Sequence, residues 1–479
     1  MKSIVENLAY NLAYQVLMLA IPLVTTPYLA HVLGSDAVGI NSYTNSVVML
    51  FATFGLLGIS NYSNREIAYS SAKAKDELSK TFISLCIIRI FLMVFCVLCY
   101  LAMLFVSEYR YYFVLQFVTL FYNFIDISWL FVGIENMKVV VARNTVVKVI
   151  STIMIFVLVK KSSDLGLYII INGGSACLGA FMMFGQAGKY VHWVRVGRKD
   201  IVKHIVPIFR LFIPQAAVSL YVLFDKTMIQ WLTDDVRSVG FYDQSQMIAK
   251  VPTMLISAMT TVMLPRVSNA YYKGETEAVK KYLINISYLA AIFAYPFWLG
   301  MAGIAPSLVP WYLGGQFLEC IRLLQLFSVV TVPIYLTNVT GILYLMAFDK
   351  TKELSVSYTA AAVFNLLANA ILIPCFGAYG AVVGTVCAEF MVLFIQYHFM
   401  KEEMGDMHLF HKSVKSIFAS IVMFFVVLWI GKFLGAGAEV TLLQIFAGGS
   451  VYFILMYAMK DRMVRQFVGC LKRLCPKCR

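Results

Sequence analysis

Charged residues are few. Asp, Glu, Lys and Arg together make up 13% of the 479 residues, about half the share of a soluble globular chain. With 61% hydrophobic residues and a mean hydropathy of +0.79, that shortage excludes a water-soluble fold. Histidine is rarer. His31, His192, His204, His398, His408 and His411 are the whole set, and they fall in no metal-ligand spacing on one helix. No glycine-rich loop runs into Lys-Ser or Lys-Thr, so the backbone cradle that holds ATP phosphates is missing. Acids are outnumbered, 25 against 39 bases, for a net charge of +14. In a soluble protein that excess would suggest nucleic acid. Here the bases sit between apolar runs, where anionic lipid headgroups and membrane topology account for them, and no nucleic-acid partner is expected.

What the chain has in quantity is apolar runs, about fourteen of them, most long enough to cross a bilayer. Counting from a cytoplasmic N-terminus, odd-numbered gaps face outward and even-numbered gaps inward. The outward gaps hold five basic residues, Arg110, Lys160, Lys161, Arg237 and Lys432, whereas the inward gaps and tails hold 28. This is the positive-inside pattern, and one missed helix would scramble it. Both termini are therefore expected in the cytoplasm. The N-terminal run from Leu8 to Ala30 is too long for the core of a cleaved leader and is interrupted by Pro22 and Pro27, so it reads as a retained first helix. The outward gaps are nearly all shorter than about a dozen residues, which counts against a membrane glycan polymerase or ligase, since such an enzyme needs a sizeable outward loop to assemble its catalytic groups.

The expected spans are roughly 8–30, 40–62, 81–104, 111–133, 139–160 and 166–188, then 205–232, 241–265, 281–304, 319–346, 354–374 and 379–400, and finally 414–434 and 441–459. The fold expected is an all-α integral membrane protein. One lobe of helices 1–6 covers 1–188, a cytoplasmic linker 189–204, and a second lobe of helices 7–12 covers 205–400. A cytoplasmic loop at 401–413, a last helix pair at 414–459 and a basic tail at 460–479 follow. Seven of the ten cysteines lie in or beside apolar spans, where thiols act as small hydrophobes. Cys470, Cys475 and Cys478 lie in the tail. The last two have Cys-x-x-Cys spacing but no further ligands nearby, so no metal is expected.

A faint internal repeat supports two lobes. Val38-Gly39 opens the second span and Val239-Gly240 the eighth; Arg65 follows the second and Arg266 the eighth. Both offsets are 201 residues. Glu135 and Lys138 follow the fourth span, and Asp349 and Lys352 the tenth, at an offset of 214. An enlarged outward loop around Ala305–Phe317 would absorb the drift. Each half has an even number of helices, so both enter the membrane in the same direction. Parallel repeats of this kind carry the substrate site between them. Pro22 and Pro27 in the first helix of one half, and Pro207 and Pro214 in that of the other, are candidate hinges, although membrane helices also tolerate proline without any hinge.

Ten charges fall inside the spans: Arg89, Lys148, Arg210, Lys226, Lys250, Arg322, Asp126, Asp225, Asp243 and Glu389. A charge at the bilayer centre costs roughly 2.5–3.5 kcal/mol even on insertion scales. These groups must line a wet cavity, pair, or snorkel. Lys148, Lys250 and Glu389 lie near mid-span and have the strongest claim on a cavity. Arg89 and Asp126 lie in the inner halves of neighbouring antiparallel helices, where a structural pair is an alternative to a substrate contact. Arg210 and Arg322 lie near helix ends and can snorkel. Asp243, Gln246 and Lys250 fall at i, i+3 and i+7 on one face of the eighth span. Asp225 and Lys226 complete the cavity candidates. The surplus of bases suits an anionic substrate, because lysines bind phosphate as point charges.

Several segments resemble one family. They are Asn64-Arg65-Glu66-Ile67-Ala68, Trp129 through Lys138, Asp225-Lys226-Thr227-Met228-Ile229, Gly240-Phe241-Tyr242 and Leu264-Pro265-Arg266. In order and topology they resemble the Wzx-type polysaccharide flippases, of the superfamily that also holds MATE exporters and lipid II flippases. The resemblance implies a MATE-like fold of two six-helix lobes around a central cavity, in a bacterial cytoplasmic membrane. It also implies movement of undecaprenyl-diphosphate-linked oligosaccharide from the inner to the outer leaflet for capsule, exopolysaccharide or O-antigen synthesis. Its implied partners are that lipid-linked oligosaccharide, membrane lipids and polysaccharide polymerase machinery. No cofactor is implied, and Glu389 or Asp126 would couple transport to H+ or Na+. Arginines in the first two helices help make the cationic cavity of the lipid II branch. Here only Tyr14, Gln15, Asn41 and Asn45 stand there, a departure that leaves the diphosphate ligand unassigned. A cation-coupled MATE-type multidrug exporter is the alternative, and the net positive cavity counts against it.

Overall fold

Helices account for nearly all of the computed structural model, which describes residues 2–73, 75–405 and 413–466, without the side chains of 1–20, 211, 213–222, 258 and 261. Cys470, Cys475, Cys478, His408 and His411, and the side chains of Tyr14, Gln15 and Pro214, lie outside the described residues. Among the described residues ten helices are long and apolar enough to cross a membrane, or up to twelve if each of two bent pairs counts as one span. The expected fourteen are not counted out by that test.

The helices form two compact units, Met1–Gly240 and Phe241–Arg479. In the first unit α1 (Lys2–Leu56) carries both of the first two expected spans. It turns at Gly34, whose φ of 79° a side chain would oppose. After Leu57–Gly58 the chain bends by 44° into α2 (Ile59–Ser71). Next come α3 (Lys75–Leu104), α4 (Arg110–Ile125), α5 (Ser128–Gly133), α6 (Met137–Leu158) and α7 (Leu165–Ala187). The core beneath α2 and α5 gathers Ile67, Leu85, Trp129, Phe131 and Met183.

Helix α8 (Arg198–Thr233) also belongs to this unit, although the expected lobe boundary precedes it. A seam along α1 and α2 holds it there. Trp231 donates to the Tyr43 hydroxyl at 3.1 Å, Ser46 and Thr227 share a hydrogen bond of 3.2 Å, Phe54 meets Phe212 edge-on, and Tyr62 bonds His204 Nδ1 at 2.7 Å. The paired numbers run in opposite senses, so the two helices are antiparallel. In lipid, packing and interhelical hydrogen bonds rather than water exclusion hold such a seam.

Helix α9 (Val236–Lys250) starts against α1. A Cβ on Gly39 would lie 2.0 Å from the Val236 carbonyl oxygen, and one on Gly240 would lie 3.0 Å from Gly39 N and 3.3 Å from the Ser35 carbonyl oxygen. The contact is reciprocal under the repeat offset, because Ser35 and Val236, like Gly39 and Gly240, stand 201 residues apart. That is the pattern of a contact about a two-fold axis.

The second unit continues through α10 (Thr253–Tyr272), α11 (Thr276–Tyr312), α12 (Glu319–Phe327) and α13 (Thr331–Thr337) into a π-helix, Asn338–Met346. Then follow α14 (Thr351–Phe376), α15 (Ala378–Met404), α16 (Val414–Leu434) and α17 (Ala438–Ala458). The enlarged loop expected around Ala305–Phe317 is not a loop. Helix α11 runs on to Tyr312, so most of the drift between the halves is added helix. The last pair docks on α11: Ser416 donates to the Ala291 carbonyl at 3.1 Å and Tyr452 to that of Ile292 at 2.7 Å.

The repeat recurs as backbone geometry. Glu135 and Asp349 both take left-handed conformations, with φ of 59° and 58°. Asn136 N–H bonds the Phe131 carbonyl and Lys350 N–H that of Leu345, each at 2.8 Å. These are Schellman ends, in which a left-handed residue lets the chain satisfy its last carbonyls. Each then opens a new helix, α6 or α14, one residue later.

Candidate functional site

In the first unit the intramembrane charges converge on the break between α4 and α5. Asp126 leaves the helix in an extended conformation, φ −66° and ψ 119°. Its carbonyl accepts a bond of 3.1 Å from the Trp129 indole, and its carboxylate accepts one from the Ser128 hydroxyl. The ion pair of Asp126 is with Arg143 of α6, Nη2 to Oδ1 at 2.9 Å. Arg89 reaches the same helix end through carbonyls, donating to Asn123 at 2.7 Å and Phe124 at 3.2 Å, with its guanidinium over the Trp129 ring. Arg89 is 3% exposed. Both arginines thus cap a broken helix whose freed carbonyls need donors, and α3, α4 and α6 are tied together there. The sequence reading placed Arg143 in a loop, so it paired Asp126 with the wrong arginine. The clue was its position, six residues inside α6.

Lys148 lies on α6, half-buried. Its carbonyl accepts from Ser151 at 3.0 Å and Thr152 at 2.7 Å. Asp225 is buried on α8 and Lys226 half-buried beside it, next to the Thr227 hydroxyl that binds Ser46.

In the second unit the polar stripe of α9 divides. Asp243 and Lys250 are half-buried, whereas Gln246 is 7% exposed. Gln246 Nε2 donates to the Tyr242 hydroxyl at 3.4 Å, which shares a 3.0 Å bond with Thr385 of α15. Glu389 is buried one turn beyond Thr385 on the same face of α15. Lys250 is the last residue of α9, before the break at Val251–Pro252, where the Tyr335 hydroxyl donates to the Pro252 carbonyl at 2.7 Å. A lysine at a helix break can extend or retract without disturbing a hydrogen-bonded turn. The structure therefore brings Gln246 together with the core of its unit and leaves Asp243 and Lys250 toward the surface. Among the described residues, no group of three or more His, Cys, Asp or Glu side chains could hold a metal ion.

A third arrangement escaped the sequence reading. Arg237 Nε lies 2.6 Å from Asp36 Oδ1 beside the Gly39–Gly240 contact. The offset between Asp36 and Arg237 is again 201, a signal that was available in the repeat.

The model of one family, described as polysaccharide biosynthesis protein, matches residues 4–271. The chain belongs to the polysaccharide biosynthesis protein family. Two relatives of this family member are named as O-antigen transporters. The one from Shigella dysenteriae is 25% identical over 377 residues, covering 78% of this chain and 93% of the relative. The one from Escherichia coli K12 is 25% identical over 412 residues, covering 83% and 97%. Among solved structures, the lipid II flippase MurJ in an inward closed conformation superposes with a TM-score of 0.70 at 15% identity, covering 94% of this chain and 100% of MurJ. An inward-facing multidrug resistance MATE family transporter of the MOP superfamily gives 0.61 at 13% identity, covering 81% and 98%. The polysaccharide biosynthesis protein described here thus has the all-helical fold of the MurJ and MATE transporters.

Proposed function

We propose that this protein is an alternating-access flippase that moves undecaprenyl-diphosphate-linked oligosaccharide from the inner to the outer leaflet of the cytoplasmic membrane. The observation that carries this reading is the retention of half-buried lysines inside membrane helices of both units, Lys148 on α6 and Lys250 at the end of α9. A charge held at that depth is functional by default. Two lysines without a metal between them suit a diphosphate. Membership of the family, the O-antigen transporter relatives and the flippase-like fold support the same reading.

In this reading the lobes 1–188 and 205–400 rock about a cavity, the prenyl chain stays in lipid, and both termini stay in the cytoplasm. Asp243, Gln246, Asp225 and Lys226 contribute polar groups to the path. Buried Glu389 is the coupling carboxylate for H+ or Na+. Asp126 and Arg89 are assigned to structure, because their partners are helix-end groups and Arg143. A polymerase would take up the product outside.

The test is complementation of a strain lacking its own transporter. Lys148→Ala with Lys250→Ala should cut surface polysaccharide at least tenfold at normal protein level and thermal stability. Normal export would remove the two lysines from the mechanism. Restored resistance to organic cations instead of polysaccharide export would favour a MATE-type exporter.

A further inference from the structure

A cleft of about 390 Å3 opens between α6 and α7, away from the lysine proposed for transport. Lys138, Arg143 and Gln186 supply its polar lining, and Val139, Val146 and Met182 its apolar walls. The size falls in the usual range for small-molecule sites. Lys138 is exposed at the mouth. Arg143 is 8% exposed; its Nη2 is held by Asp126, but its Nε is sealed from solvent with no hydrogen-bond partner in the protein. A buried guanidinium N–H left without an acceptor is costly, and a cleft that admits an anion would supply one. The walls point to what the anion is attached to. Val146 is 48% and Met182 59% exposed, on the lipid-crossing stretches of their helices. Lys138 and Val146 lie eight residues apart, so they share one face of α6, the cation toward the end marked by basic loops and the apolar residue toward mid-membrane.

We propose that this cleft seats an anionic phospholipid of the inner leaflet, with its phosphate between Lys138 and Arg143 and an acyl chain along Val146 and Met182. Free phosphate leaves the apolar walls without a use, and a zwitterionic lipid offers less to the two cations. Basic pockets between membrane helices on the cytoplasmic side recognise lipid headgroups in this way. The site is separate from the transport reading: its face of α6, set by Lys138, Ala142 and Val146, is turned about 120° from Lys148.

The test uses the full chain purified in detergent, with native mass spectrometry after addition of phosphatidylglycerol, phosphatidylcholine or inorganic phosphate, each alone. Phosphatidylglycerol should be retained. Lys138→Glu should lower its occupancy at least fivefold, and Ala142→Phe, which fills the cleft from an exposed position, should do the same at unchanged melting temperature. Phosphatidylcholine and phosphate should not displace it. Should Lys138→Glu not fold, Ala142→Phe decides alone. Equal binding of phosphatidylglycerol by the folded variants and the parent, or equal retention of phosphatidylcholine, would overturn the proposal. A prenyl diphosphate competing more strongly than phosphatidylglycerol would also overturn it, by assigning the cleft to cargo. Because transport is not measured, the result stands whether or not Lys148 and Lys250 carry substrate.

Discussion

Asp36 and Arg237 are 201 residues apart in the chain and 2.6 Å apart in space. They close a contact in which Gly39 meets Val236 and Gly240 meets Ser35. Their side chains are 58% and 60% exposed, so the pair is a weak fastener. A double-mutant cycle with Asp36→Ala and Arg237→Ala should give a coupling of about 0.2–1 kcal/mol that fades with added salt. Thermal unfolding in detergent at low and high ionic strength measures it. A coupling that survives molar salt would mean the pair is held by something other than charge.

The glycine between those residues should matter more. Gly39→Ala places a methyl 2.0 Å from a backbone carbonyl, which neither helix can relieve by turning a side chain. The expected loss is about 1–3 kcal/mol from overpacking, read as a lower melting temperature. Gly185→Ala, in open space on α7, is the control and should be near neutral.

The arginine beneath the broken fourth span is the most sensitive charge. Arg143→Ala would leave Asp126 in a site with little access to water, and breaking such a pair costs about 3–5 kcal/mol. Arg143→Ala combined with Asp126→Asn should recover part of that loss. Membrane-inserted yield and thermal stability report both. If the double variant is no better than the single, the pair is not what stabilises the break.

His204, just before the seventh apolar run, supplies a pH signature. Burial pushes its imidazole down to about 4 from 6.5, with Lys203 adding to the shift and Asp200 opposing it. The unfolded chain therefore binds the extra proton first. Stability from this group is complete above about pH 6.5 and is lost as pH falls toward 4. Melting temperature should drop over that window in the parent, and a His204→Asn variant should lose this component of the drop. A parallel pH profile in the two proteins would assign the acid sensitivity elsewhere.

Glu389 gives a functional test. Glu389→Gln keeps the size and the buried position on α15, so the fold should survive. If this carboxylate couples transport, surface polysaccharide should fall several-fold, and what remains should no longer respond to the external pH or sodium gradient. Unaltered export would exclude it.

Much of the architecture could be read from the residues because lipid makes strict demands. Apolar length and the basic loops gave the helical class and the two-fold repeat, and the offset of 214 led to two left-handed residues, Glu135 and Asp349, with matching hydrogen bonds. The breaks were harder to read. Nothing in hydropathy marks Asp126 as a helix end, because a six-residue α5 restores the span at once. Arg143 was misplaced for the same reason: a boundary error of a few residues turns a buried ion-pair partner into a loop charge. Helix α11 was taken to stop near its prolines Pro306 and Pro310, yet both lie inside it. The polar stripe of α9 was correctly placed on one face, but a face is wider than a cavity wall, and Gln246 turned toward Tyr242 instead.

The π-helix from Asn338 to Met346 holds nine residues in a wound-out turn, buried along most of its length and braced by Thr340 on Gln396 at 2.8 Å. Such a stretch keeps one residue in reserve. Removing it would let the segment tighten to ordinary α pitch while rotating everything after it by about 100°. Lys350 would then swing off Glu403, the acid that holds it against α15. One deleted codon here would retime half of the second unit without touching its hydrophobicity.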